Sequence, residues 1–109
     1  MTGAPCKLAR MVILAGTIRI GAGKREVALA PIVDMVKATR AEPGCVEYSF
    51  AFDVQDDHVL HIFEVFVDDA ALAAHRASPH MARWRALMPD VGIGGREMSE
   101  YQVSSSRKI

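Results

Sequence analysis

Two consecutive segments constrain the fold of this chain more than any other feature of its sequence. Over residues 45–53, apolar side chains alternate with small or polar ones, as in a strand with one buried face. Over residues 58–67, apolar side chains fall on both faces, and the polar turn at residues 55–57 predicts that the two strands form a β-hairpin. A strand that is apolar on both faces needs cover on both sides. We therefore expect helices on one face of the sheet and a second copy of the chain on the other.

A first strand and a first helix are predicted ahead of this hairpin. Residues 11–20 are rich in β-branched and apolar side chains and are followed by a glycine-containing turn, which predicts a strand. Residues 24–41 predict a helix, in which Pro31 either distorts the first turn or marks the helix start. The apolar stripe of this helix is expected to consist of Leu29, Ile32, Val33 and Val36.

An interrupted helix and a last strand are predicted after the hairpin. Residues 70–77 predict a helix capped by Asp68 or Asp69. Ser78 and Pro79 restart it, because Ser78 can act as an N-cap and a proline costs no hydrogen bond at the first helical position. This second segment extends to about residue 88, and residues 96–103 predict a strand. The order strand, helix, strand, strand, helix, strand predicts a ferredoxin-like α+β fold (βαββαβ), with both helices on one face of an antiparallel sheet.

Composition limits the classes of partner and the location. The chain has 109 residues, enough for one domain, which we assign to residues 11–103 with tails at residues 1–10 and 104–109. Its 13 basic and 13 acidic residues give a net charge of +0, which argues against a nucleic acid or an anionic membrane as partner. No apolar run approaches the roughly 20 residues of a membrane helix. The two cysteines, Cys6 and Cys45, form no disulfide framework. We expect a cytoplasmic protein with free thiols.

Three short segments carry a resemblance to a known family. They are Glu42-Pro43-Gly44-Cys45 leading to Tyr48, then Glu64-Val65-Phe66, and then the helix from Ala71 to His75 with Ser78-Pro79-His80-Met81. Together, over about residues 11–103, the chain resembles the antibiotic biosynthesis monooxygenase family. Members of that family include cofactor-independent monooxygenases of quinols and polyketide phenols, haem-degrading enzymes, and isomerases of small sugar-derived signals. The resemblance implies a dimeric α+β barrel with a substrate pocket between the sheet and the helices of each subunit.

Two departures from the family pattern narrow the activity that the resemblance implies. The haem-degrading members use an asparagine in the first strand, a tryptophan at the end of the third strand, and a helical histidine that ligates iron. This chain has no asparagine, its single tryptophan is Trp84 in the second helix, and Phe66 occupies the end of the third strand. Polyketide-oxidising members also use asparagine and tryptophan. We therefore expect no haem degradation, and no cofactor, whether haem, flavin or metal, in the purified protein.

Two histidines and one glutamate are the candidate catalytic residues. By the resemblance, His75, His80 and Glu64 lie near the pocket. The two histidines are five residues apart, about 140° around an ideal helix, which does not predict a metal site. A neutral imidazole suits a general base that takes a proton from a quinol. Alternatively, one histidine closes the helix restart by hydrogen bonding, and the other packs beneath the sheet. Glu64 lies on an otherwise apolar strand face, so we expect it to pair with a histidine or with Arg76 or Arg83, either in catalysis or as a structural ion pair.

Four apolar or aromatic residues are the candidate substrate-binding set. They are Phe66, Tyr48, Trp84 and Leu72, which could hold a planar ring or could simply form the core. Two functions remain open from the sequence. The first is a cofactor-independent monooxygenase that oxidises a small quinol-like or polyphenolic compound with O₂. The second is a non-catalytic homodimer that binds a small ligand, either aromatic or isoprenoid.

Overall fold

The computed structural model describes residues 10–109, and its elements follow the predicted order. The strands and helices are β1 (Met11–Arg19), α1 (Arg25–Arg40), β2 (Cys45–Phe52), β3 (Val59–Phe66), α2 (Asp69–Arg76), α3 (Pro79–Leu87) and β4 (Gly94–Val103). The predicted N-terminal tail lies outside the described residues except for residue 10. Within the described part of the chain, no helix is long and apolar enough to cross a membrane.

The four strands form one antiparallel sheet in the order β2-β3-β1-β4, and the ferredoxin-like α+β prediction is confirmed. Strand β3 lies between β2 and β1. Its Glu64 is opposite Tyr48 on one side and opposite Leu14 on the other. This register places the glutamate in the middle of a row of buried side chains, on the face that the helices cover.

The alternation along β3 separates a covered face from an open one. Leu60, Ile62 and Phe66 are buried in the core beneath the helices, whereas His61 and Phe63 point to the opposite face and are exposed. We call that second surface the open face. It carries a shallow hollow of about 320 Å³, lined by small side chains together with His61 and Phe63. In the single chain no helix covers this face within residues 10–109.

Helix α1 presents a different stripe to the core than the sequence predicts. Its buried residues are Ala28, Ile32, Met35 and Thr39. Leu29 and Val33 are 47% and 55% exposed, so the predicted stripe is wrong at these two positions. The buried positions include a small alanine and a compact threonine that let the helix approach the sheet, and a count of large apolar residues misses both. Pro31 lies inside the helix, six residues after its start.

Candidate active site

A break between α2 and α3 determines where the two helical histidines point. The Asp68 carboxylate accepts a hydrogen bond from the backbone N–H of Ala71 at 2.8 Å and caps α2. The Ser78 hydroxyl accepts a hydrogen bond from the backbone N–H of Met81 at 3.2 Å and donates one to the His75 carbonyl at 2.7 Å. The serine therefore ends one helix and starts the next, and the predicted restart at Ser78-Pro79 is confirmed.

This break brings His75 and His80 together rather than apart. Their ring centroids are 5.9 Å apart, although an unbroken helix would have separated them by about 140° around its axis. The spacing of an unbroken helix does not apply here, because the helix is interrupted at Ser78 and α3 starts anew. Both rings converge on Glu42 Oε2, which lies 2.9 Å from His75 Nδ1 and is also hydrogen-bonded to His80 Nε2. Sequence reasoning did not identify Glu42 as a site residue.

A close backbone approach brings Glu42 to the histidines. Glu42 opens the turn that leads into β2, and Gly44 in that turn packs against α2. A Cβ atom on Gly44 would lie 2.3 Å from the Ala71 Cβ, so only glycine fits without movement of the helix. The Gly44 carbonyl accepts a hydrogen bond from the Val67 N–H at 2.9 Å, which ties the turn to the end of β3. The glycine of the Glu-Pro-Gly turn was the sequence signal that could have pointed to Glu42.

The hydrogen bonds to Glu42 fix the tautomer of His75. An ionised carboxylate only accepts hydrogen bonds, so His75 donates from Nδ1 and its neutral ring keeps a lone pair on Nε2. That Nε2 atom lies 4.0 Å from Glu64 Oε1. The ring itself is buried, with 3% of its side-chain surface exposed, and the Phe66 ring packs against it at a centroid distance of 5.0 Å. The geometry is a carboxylate–imidazole pair with the free nitrogen directed toward a second carboxyl group.

Burial changes the proton affinities of His75 and of Glu64, the carboxyl group nearest to its Nε2 atom. Burial lowers the pKa of His75 below its ordinary value of 6.5, although its hydrogen bond to Glu42 opposes the change. Burial also raises the pKa of Glu64 to about 7, against the opposing effect of the Arg96 and Arg76 guanidinium groups. Near neutral pH, His75 is therefore mostly neutral, and Glu64 exchanges between its neutral and charged forms.

A cavity of about 300 Å³ lies between the sheet and helices α2 and α3, next to His75 and Glu64. Of the predicted substrate-binding residues, Tyr48, Leu72 and Trp84 line it. Phe66 and His80 do not line it: Phe66 is fully buried against His75, and His80 is hydrogen-bonded to Glu42. Further apolar lining comes from Leu14, Ile18, Phe50, Ile62, Met81, Met88 and Met98. The cavity is large enough for a small aromatic molecule.

The predicted arginine partners of Glu64 lie elsewhere. Arg76 forms an ion pair with Glu100 at 3.8 Å, and Arg83 contacts Asp34 at 3.5 Å. Of the alternative partners expected for Glu64, neither arginine forms an ion pair with it, and the histidine that lies within 4.0 Å is His75. The closest charged or polar partner found for Glu64 among residues 10–109 is His75.

Glu42, His75 and His80 are also the residues that could hold a metal ion. One ligand atom from each lies within 4.8 Å of the others, and two imidazoles with a carboxylate suit several divalent metals. In this structure the same atoms already satisfy one another, because Glu42 Oε2 accepts a hydrogen bond from each ring. The hydrogen bonds are enough to explain the convergence, and a metal-free purified protein stays a prediction.

The fold and this cavity define a class of small α+β protein with a polar pair at one end of an apolar pocket. The sequence model described as antibiotic biosynthesis monooxygenase matches residues 11–87. The chain belongs to the antibiotic biosynthesis monooxygenase family. The turn with Glu42 and the helices with the histidines fall within the matched residues.

Two relatives are similar to this chain in sequence, and one of them is described as a putative monooxygenase. The chain is 29% identical over 98 residues to "Uncharacterized protein sll1783" of Synechocystis, which covers 90% of this chain and 67% of that protein. It is 40% identical over 65 residues to "Putative monooxygenase Rv0793" of Mycobacterium tuberculosis, which covers 59% of this chain and 63% of that protein. The chain therefore spans about two thirds of the length of each relative.

Solved structures share the fold. A Deinococcus radiodurans crystal structure, described as a "putative antibiotic biosynthesis monooxygenase", superposes with a TM-score of 0.81 at 22% identity, covering 90% of this chain and 97% of that one. The structure of Rv0793 superposes with a TM-score of 0.71 at 24% identity, covering 92% and 98%. At these identities the likeness establishes the architecture and no particular substrate.

Proposed function

We propose that this protein is a cofactor-independent monooxygenase that oxidises a small quinol-like or polyphenolic compound with O₂. The observation that carries the proposal is the free Nε2 of His75. Glu42 holds the ring through Nδ1, and the ring lines an apolar cavity beside Glu64. Family membership and the relative described as a monooxygenase support the reaction class.

In this mechanism His75 acts as the general base. A phenol bound in the cavity donates its proton to Nε2, and the charge that develops on the imidazole is stabilised by Glu42 at Nδ1. Glu64, 4.0 Å from Nε2, supports the imidazolium further when it is ionised. His80 positions Glu42 by donating a hydrogen bond to the same oxygen that His75 uses.

The deprotonated substrate then supplies the electrons for O₂ activation. An electron-rich phenolate transfers one electron to O₂, and the two radicals combine to form a hydroperoxide at a ring carbon. Loss of water leaves one oxygen atom on the ring. The overall reaction of a hydroquinone with O₂ then gives a hydroxyquinone and water, and no external reductant is consumed. The apolar lining around Tyr48, Leu72 and Trp84 keeps bulk water from the reacting ring.

Glu64 is the alternative base, because a carboxylate with a pKa of about 7 is well matched to proton transfer at neutral pH. The pH dependence separates the two. If His75 is the base, the rise is centred below pH 6.5, since burial lowers the pKa of this imidazole. If Glu64 is the base, the rise is centred near pH 7, and Glu64→Gln costs more activity than His75→Ala.

The decisive experiment measures O₂ uptake with a panel of hydroquinones between pH 5 and 9. Quinols oxidise spontaneously faster at high pH, so the enzyme-free rate is subtracted at every point. A rate above this background that disappears in His75→Ala supports the monooxygenase. A wild-type protein that never exceeds the background, but binds the same compounds, is instead a non-catalytic dimeric binding protein of the same family.

We also propose that the protein is a homodimer joined through the open face, which would complete a dimeric α+β barrel. Phe63 and Val67, at 37% and 42% exposure, and Tyr101 at 53%, are large apolar residues left uncovered in the single chain. Membership of a family whose members generally form dimers supports this arrangement. We further propose a cytoplasmic location, because the two cysteines of the sequence form no disulfide framework.

A further inference from the structure

Charge is unevenly distributed over the cavity wall. Twelve of the fifteen residues that line it are buried or partly buried, and the three exposed ones are all arginines: Arg76, Arg85 and Arg96. Exposed lining residues lie where a cavity meets solvent, so we take these three arginines to border its entrance. The chain as a whole has a net charge of +0, so this concentration is local.

The three arginines come from three different elements that meet at the entrance. Arg76 ends α2, Arg85 lies on α3, and Arg96 lies on the edge strand β4. Arg85 donates a hydrogen bond to the Arg76 carbonyl at 2.9 Å, which ties the two helices together at this point. Arg76 forms an ion pair with Glu100 at 3.8 Å. For Arg96, no acidic side chain lies within 4 Å among residues 10–109.

The interior offers little negative charge to balance this entrance. Among residues 10–109, Glu64 is the only acidic residue that lines the cavity, and burial raises its pKa to about 7, so it is partly uncharged at neutral pH. A planar guanidinium group binds carboxylates through paired N–H donors, with better geometric fit than an ammonium group. An anionic substituent would therefore be held at the entrance while the apolar part of the ligand fills the cavity.

We propose that the natural ligand is an aromatic acid: a phenolic ring that fills the cavity beside His75 and carries a carboxylate that Arg76, Arg85 and Arg96 hold at the entrance. This inference rests on the proposed function for the identity of the ring. It adds to that function a specificity determinant, formed by residues that do not take part in proton transfer.

A matched pair of compounds tests the proposal without requiring turnover. In (2,5-dihydroxyphenyl)acetate, a methylene group separates the carboxylate from the ring, so its methyl ester has nearly the same ring chemistry without the charge. Binding is measured without O₂ through the fluorescence of Trp84, the only tryptophan in the chain, which is buried and lines the cavity. We expect the acid to bind about tenfold more tightly than the ester, and added salt to reduce the difference.

Substitutions that each remove one positive charge test whether the arginines at the entrance cause the preference for the acid. Arg96→Gln should reduce the preference for the acid about threefold, and Arg76→Gln combined with Arg96→Gln should bring it within about twofold of unity. Arg83→Gln is the control, because Arg83 is an exposed arginine on α3 that pairs with Asp34 and does not line the cavity. It should leave the preference unchanged.

The outcomes separate this inference from the proposed reaction. Equal binding of acid and ester, loss of the preference in Arg83→Gln as well, or no binding of either compound overturns the inference. Preferential binding of the acid without O₂ uptake supports the inference and contradicts the monooxygenase. O₂ uptake that is equal for acid and ester, with equal affinities, supports the monooxygenase and overturns the inference.

Discussion

The two faces of the sheet are built from the same strands but differ in chemistry. On the covered face, Glu64 and Tyr48 lie side by side beneath His75. On the open face, the neighbouring positions along the same strands carry Phe63 opposite Ser49. The covered face concentrates buried titratable groups, whereas the open face mixes apolar side chains with exposed polar ones. Among the latter are His61 and Asp53, which form an ion pair at 2.7 Å near the end of the hairpin.

The contrast fits the two proposals made above, in which the covered face carries the reaction and the open face joins two chains. A buried carboxyl group costs free energy, and one with an altered proton affinity beside a cavity marks a candidate functional site. An exposed apolar surface carries no such chemistry, and it becomes favourable when a second surface covers it. The following predictions test this division of roles in order of decreasing effect.

The largest effect is expected from a charge on the open face. Phe63→Asp should convert the dimer to a monomer, with a dissociation constant raised at least about 1000-fold, because an unpaired carboxylate would be buried in the interface. Light scattering after gel filtration measures the mass. Leu29→Asp, at a position 47% exposed on α1, is the matched control and should remain dimeric. An 11.9 kDa monomer for the unmodified chain would contradict the assigned role of the open face.

The next effect concerns the base on the covered face. His75→Ala should reduce the background-corrected rate of O₂ consumption about 100-fold while the protein remains a folded dimer. His80→Ala should reduce it less, because the catalytic ring stays in place and only a hydrogen bond to Glu42 is lost. His58→Ala, in the turn of the hairpin, serves as the control. Partial recovery of the His75→Ala rate by added imidazole would identify the lost group as a base. A rate in His75→Ala equal to that of the unmodified chain would exclude His75 as the base.

A smaller effect, on stability, is expected from the buried carboxyl group. The pKa of Glu64 rises from 4.5 to about 7 on folding, so the folded chain binds the proton more tightly than the unfolded chain does. Its stabilising effect is complete below pH 4.5 and is lost as the pH rises through 7, at a cost of at most about 3 kcal/mol. Glu64→Gln should therefore be more stable than the unmodified chain at pH 9, with little difference at pH 5.

Denaturant titrations at these two pH values measure the difference. Glu26→Gln, in the exposed first turn of α1, is the matched control and should show no such pH dependence. The same Glu64→Gln substitution should lower the oxidation rate less than His75→Ala does. If stability depends on pH in the same way for Glu64→Gln and the unmodified chain, then folding does not raise the pKa of Glu64.

The smallest effect is expected at the turn that positions Glu42. Gly44→Ala places a methyl group 2.3 Å from the Ala71 Cβ, so either the turn or α2 must move, at a cost of about 1–2 kcal/mol. The movement should loosen the hydrogen bond between Glu42 and His75 and shift the His75 titration in NMR spectra. Gly94→Ala is the control, because no atom lies within 4 Å of its added Cβ. An unchanged His75 titration would show that the turn does not control the imidazole.

The sequence by itself determined the order, type and approximate bounds of the elements. The predicted strand over residues 58–67 is observed as Val59–Phe66, and the predicted N-cap at Ser78 starts α3. These features depend on local physics: alternation along a strand, a capping hydroxyl, and a proline where no backbone donor is needed. The sequence also placed Glu64 on the same apolar strand face as Phe66, because residues two apart share a face.

Only the tertiary structure decided how the site is assembled. Glu42 lies 33 residues from His75 and 38 from His80, and no local pattern links them. Their contact requires the turn at Gly44 to pack on α2, and the break at Ser78 to redirect α3. The buried stripe of α1 and the surface partners of Arg76 and Arg83 were equally beyond the sequence. Each depends on which surfaces meet after folding, and side-chain periodicity along one element does not contain that information.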